Sequence, residues 1–82
     1  MSRFALQWLV PRQSERLTHV MLLDRERPAP YTLCAGHGAD KAHALLNLWR
    51  TLKESDAIAE AVDYVAVEYT HRTGQAPGDP TD

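Results

Sequence analysis

A thiol and two imidazoles stand close together in this chain, at Cys34, His37 and His43. Thiolate and imidazole are the side chains that hold zinc, and a cysteine beside a histidine base is the usual form of an activated sulfur nucleophile. Neither pattern is complete. A fourth ligand is not apparent, and Cys-x-x-His with one later histidine is not a structural-zinc spacing. A small cysteine in a strand-like run is accounted for by core filling. The pair of glycines in Gly36-His37-Gly38, just before a helical pattern, could turn amides toward an anion. A glycine-hinged reversal from strand to helix explains them without a ligand. The expectation is a non-enzyme with no metal, cofactor or small-molecule substrate.

The remaining polar candidates are arginines. Arg12, Arg16, Arg25 and Arg27 fall in the two connections of the N-terminal half, and gathered on the loop side of a meander they would form a local basic patch. Nucleic-acid binding through them is the alternative reading. It runs against the overall balance, nine basic against eleven acidic residues with a formal charge of −2, which gives no net pull toward phosphate backbones or anionic membranes. Asp24-Arg25-Glu26-Arg27 alternates in sign and reads as a solvated connection. Trp8, Trp49 and Tyr64 have no basic groove beside them and read as core or interface residues rather than base-stacking platforms.

Positioning these residues are five predicted elements. Residues 3–10 alternate, with Phe4, Leu6, Trp8 and Val10 on one side, which predicts a strand. After the polar gap from Pro11 to Arg16, a second strand is expected from about Leu17 to Asp24. It is apolar on both sides toward its end, as a central strand with a partner over each face would be. The proline-punctuated stretch to Pro30 leads to a short third strand, Tyr31 to Ala35, giving an antiparallel meander.

From Asp40 the period changes. Leu45, Leu48, Trp49 and Leu52 recur at spacings of three and four, predicting a helix capped by Asp40 and ending near Glu54, with Leu46 off the stripe. A second helix is expected from residue 56 to about 72, on Ile58, Ala61, Val62, Val65 and Tyr69 behind a Ser55-Asp56 start signal. The β-branched and aromatic run 62–70 leaves a strand as the competing reading there. The last ten residues, 73–82, contain two prolines and two glycines and nothing to bury, so they are expected to form a disordered tail. The predicted whole is one α+β domain over residues 1–72, β-β-β-α-α, with both helices on one sheet face.

Eighty-two residues make one domain with a thin core. Chains of this size often gain stability by covering an open face with a second copy, so a homodimer is expected. Cys34 is the only cysteine, which excludes an internal disulfide and points to the cytoplasm. No apolar run approaches the length of a membrane span or a signal-peptide core.

The strand-to-helix junction, Cys34, Gly38, Ala44-Leu45, Asn47-Leu48 and then Leu52, resembles the N-terminal domain of HicB-like antitoxins. Their recurring pattern is a cysteine, three residues, Gly-Asp-Thr, then Glu-Glu-Ala-Leu and an Asn-Leu one residue further on. Asp40 stands at the family's threonine cap, Ala42-His43 replace its acidic pair, and its Pro-Asp-Leu-Pro-Gly before the cysteine is absent. The resemblance implies a partial double-stranded-RNA-binding-domain fold and a protein-binding habit, with a toxin-like partner. Operator binding belongs in that family to a separate helix-turn-helix or ribbon-helix-helix module and is not implied. The lysine cluster that full domains of this fold hold against RNA is reduced here to Lys41. The junction residues expected to shape the fold are Cys34, Gly36, Gly38, Asp40, Leu45, Leu48 and Leu52.

Overall fold

The computed structural model describes residues 3–9, 16–28 and 32–78. Arg12 and residues 79–82 of the expected tail lie outside them. Three strands, β1 (Phe4–Leu9), β2 (Thr18–Asp24) and β3 (Thr32–Gly38), precede two helices, α1 (Lys41–Glu54) and α2 (Ala59–Thr73). The sheet is antiparallel in the order β1-β2-β3, with β2 central. Its register places Leu6 opposite Leu22 and Trp8 opposite Val20 on one side, and Val20 opposite Gly36 and Leu22 opposite Cys34 on the other. The α+β architecture is therefore the expected one.

Strand alternation divides the sheet into two faces. Phe4, Leu6 and Trp8, then Val20, Leu22 and Asp24, then Cys34, Gly36 and Gly38 share the inner face. Both helices pack there. Ala44, Leu45, Leu48, Trp49 and Leu52 of α1 are buried, and with Ala61 and Val65 of α2 and Phe4, Val20 and Leu22 of the sheet they form the core. Each fully buried leucine contributes about 1.5–3 kcal/mol relative to exposure. Tyr64 brings α2 to β1, its ring 5.8 Å from Phe4. Residues 62–70 are helix throughout, so their β-branched content yields to the packing of Ala61 and Val65. No helix among the described residues is long and apolar enough to cross a membrane.

Three local readings are corrected. The glycines of Gly36-His37-Gly38 make no turn, because β3 runs on through Gly38, and the one glycine with positive φ among the described residues is Gly74, at 76°. They are required by approach instead. A Cβ on Gly36 would lie 2.7 Å from the Leu48 amide nitrogen and 2.8 Å from the Ala44 carbonyl oxygen, and one on Gly38 2.6 Å from the Ala44 nitrogen. The backbone of α1 thus rests directly on β3. Second, Ser55-Asp56 ends a helix rather than starting one. Ser55 is the C-cap of α1, Asp56 takes φ 57°, and α2 begins at Ala59 after an Ile58 cap position with no side-chain hydrogen bond.

Third, Asp24 is not part of a solvated run. It is 1% exposed, and its carboxylate accepts from Arg3 Nε and Nη2, both at 2.9 Å, and from the Glu26 amide at 3.0 Å. A buried carboxylate needs such partners, and this one has them. At the far end of the domain, Thr73 completes α2, and Gly74, in the left-handed conformation, closes it. Residues 74–78 follow without regular structure, and the Gly78 carbonyl lies 3.4 Å from Arg50 Nη2.

Candidate interaction surface

The outer face of the sheet is the complement of the core register. Ala5, Gln7 and Leu9 of β1, His19, Met21 and Leu23 of β2, and Thr32, Ala35 and His37 of β3 project there. No other described element packs over them, since both helices lie on the opposite side. Leu9 is 41% exposed, while Met21 and Leu23 are half-buried. None of these nine positions is an aspartate, glutamate, lysine or arginine.

The face has internal order. His19 and His37 are register partners, and their rings stack with centroids 5.6 Å apart. Toward the other end, Thr32 Oγ1 lies 3.9 Å from Met21 Sδ, next to the bulge between Leu22 and Leu23. The face is therefore aromatic and polar at one end and aliphatic at the other.

The edge of β3 is managed by α1. Asn47 Nδ2 donates to the His37 carbonyl at 2.7 Å. A shallow groove of about 420 Å³ runs beside it between Ala35–His37 and the α1 side chains Asn47, Arg50, Thr51 and Glu54.

The titratable groups that depart from their ordinary behaviour do structural work. The Arg3 hydrogen bonds hold the Asp24 carboxyl below the usual carboxylate range, against the opposing effect of burial, and raise Arg3 in return. Asp40 is held low first by the amide of His43, which donates to Oδ1 at 2.8 Å, and then by the His43 ring. This is the α1 N-cap that was expected. Desolvation raises the Tyr64 phenol, with the charge of Glu68 acting in the same direction. Trp8, on the inner face, has Lys41 Nζ 5.3 Å and Arg72 Cζ 5.2 Å from its ring. Two cations thereby close the core at the α1 N-terminus.

The candidates for chemistry are dispersed. Cys34 faces the core side of β3, His37 the outer face, and His43 caps α1 with Asp40. Among the described residues no group of three or more His, Cys, Asp and Glu side chains is placed to hold a metal. Above Gly36 and Gly38 the backbone of α1 fills the space that a side chain would take, which accounts for both glycines without a ligand. Arg16 precedes β2 and Arg25 and Arg27 follow it, so a seven-residue strand separates them and no joint patch forms. Of the junction residues, Leu45, Leu48 and Leu52 form the buried stripe, Cys34 packs at its margin, and Asp40 starts the helix.

The residue pattern implied an open sheet face in need of a cover but did not show which side chains make it up. The signal was present in the odd positions of the second strand, His19, Met21 and Leu23, whose lack of charge becomes significant only once the register aligns them with uncharged positions on both neighbours. Comparison with family models, curated proteins and solved structures found no match to this chain.

Proposed function

We propose that this chain is a small non-enzymatic protein-interaction module, HicB-like in its junction and element order, that acts by self-association or by holding a protein partner of the toxin class. The observation that carries this reading is the outer sheet face, which carries no aspartate, glutamate, lysine or arginine and is uncovered by any other described element. A sheet needs a partner over each apolar face, and the described elements cover one. An exposed apolar area of this kind marks an interaction site. The resemblance at Cys34, Gly38, Ala44-Leu45 and Asn47-Leu48 adds support, and the lone thiol Cys34 favours action in the cytoplasm.

The test is affinity capture and light scattering on the full chain beside a Leu9→Lys/Leu23→Lys double variant. Association of the wild type with itself or with a specific protein, lost in the variant while its circular dichroism is unchanged, supports the reading. A wild type that is monomeric at every concentration and captures nothing that the variant does not would overturn it.

A further inference from the structure

We propose that His19 and His37 form a two-imidazole site for a divalent late-transition-metal ion of the Ni²⁺, Cu²⁺ and Zn²⁺ class, with water in the remaining coordination positions. The two residues come together through register alone. His19 on β2 faces His37 on β3, and their rings lie side by side with centroids 5.6 Å apart and planes inclined by 29°. A metal of this class sits about 2.0–2.1 Å from each imidazole nitrogen, which allows two ring centres bound to one ion to stand up to about 6 Å apart. The observed spacing falls within that span, so side-chain rotation suffices to aim a nitrogen of each ring at one ion.

Both rings have nitrogens to offer. Neither makes a hydrogen bond to another described residue, whereas Nδ1 of His43 is already engaged by Asp40 at 2.8 Å. His37 is exposed and His19 half-buried, so an ion can reach the pair from solvent. The backbone beneath is held on both sides: His19 is paired with Leu9 as well as His37, and Asn47 donates to the His37 carbonyl at 2.7 Å. Two ligands on paired strands thus act as one chelate. The surroundings select the kind of ion. With no aspartate or glutamate on this face there is no carboxylate for a hard cation such as Mg²⁺ or Ca²⁺, and with no lysine or arginine no fixed cation repels a metal. Imidazole nitrogens with open positions suit copper, nickel and zinc. Two ligands are fewer than a closed structural zinc site uses, so the bound ion keeps water and remains exchangeable.

The experiment is calorimetric titration of the full chain with Ni²⁺, Cu²⁺ and Zn²⁺ chlorides in a non-chelating buffer, beside His19→Ala, His37→Ala and the double variant. One ion per chain is expected, bound most tightly for Cu²⁺. Each single variant should bind about 100-fold more weakly, because the second imidazole no longer acts within the same chain segment. His43→Ala and His71→Ala should bind as the wild type does. The metal should also raise the unfolding temperature of the wild type and leave that of His37→Ala unshifted, since only the folded sheet holds the two rings together. Should His19→Ala fail to fold, His37→Gln at the exposed member of the pair takes its place, and electron paramagnetic resonance of the wild-type copper complex, expected to show coupling to two imidazole nitrogens, decides independently. A wild type that binds no ion more tightly than the double variant overturns the proposal. So does a site that survives His37→Ala, or a copper signal with a single imidazole nitrogen. None of these results bears on protein capture by the rest of the face.

Discussion

Gly36 and Gly38 have no side chain because the backbone of α1 occupies that space. Since the atoms a Cβ would meet are main-chain atoms of Leu48 and Ala44, they cannot rotate aside. Gly36→Ala is expected to destabilise the fold by about 1–3 kcal/mol, the usual range for overpacking, and Gly36→Val by more. Urea unfolding would measure both. Gly78→Ala is the control, since a Cβ there would meet nothing within 4 Å, and should leave stability unchanged. Asp24 gives a pH prediction. Its carboxyl is held low in the folded state by Arg3, so the unfolded chain binds the proton more readily. The stabilisation is complete above the ordinary carboxylate range and is lost as pH falls through that range toward the depressed value. Thermal unfolding followed from neutral to acid pH should show this loss, and Asp24→Asn should be less stable at neutral pH with a shallower acid decline. An unchanged slope in the variant would refute the assignment. Asp40, held low by His43, acts in the same direction and accounts for part of the slope that remains.

At the scale of elements, α1 couples sheet to helix layer through one stripe. Leu48 contacts the Gly36 position and is fully buried, so Leu48→Ala should cost about 2–5 kcal/mol in chemical denaturation. The break between α1 and α2 turns on Asp56, at φ 57°. Asp56→Gly should be neutral or stabilising by up to about 1 kcal/mol, and a β-branched residue there destabilising. Much of this level was legible in residue order. Asp40 declares a helix start by its chemistry, and the leucine spacing declares the buried stripe. Glycine is ambiguous, because tight turns and close backbone approach both select it; β3 is consequently three residues longer than Ala35, where its pattern appeared to end. Ser55-Asp56 is ambiguous for a related reason, since small polar residues close helices as well as open them. Asp24 looked solvated because its partner Arg3 is twenty-one residues away, and only strand pairing brings them together.

For the whole molecule, a sheet that the described elements cover on one side leaves stability tied to whatever covers the other. Where self-association supplies that cover, dilution should lower the unfolding temperature, because association stabilises the native state by mass action. The outer face carries no aspartate, glutamate, lysine or arginine, so raising the ionic strength should not weaken association through it. A midpoint independent of concentration, or an assembly dissolved by salt, would contradict self-association through this face. The candidate surface was the least legible feature in the sequence, because its meaning lies in alignment across three strands rather than within any one of them. The hydrogen bond from Asn47 to the His37 carbonyl then has a consequence for growth. A bare strand edge is a template on which further chains add without limit, and here one of its acceptors is already spoken for by the chain's own helix. Lateral addition along a strand has no natural end, so an acceptor held by this amide works against a fibre. Replacing Asn47 with a residue that cannot donate should raise the tendency to aggregate on standing while barely altering the fold itself.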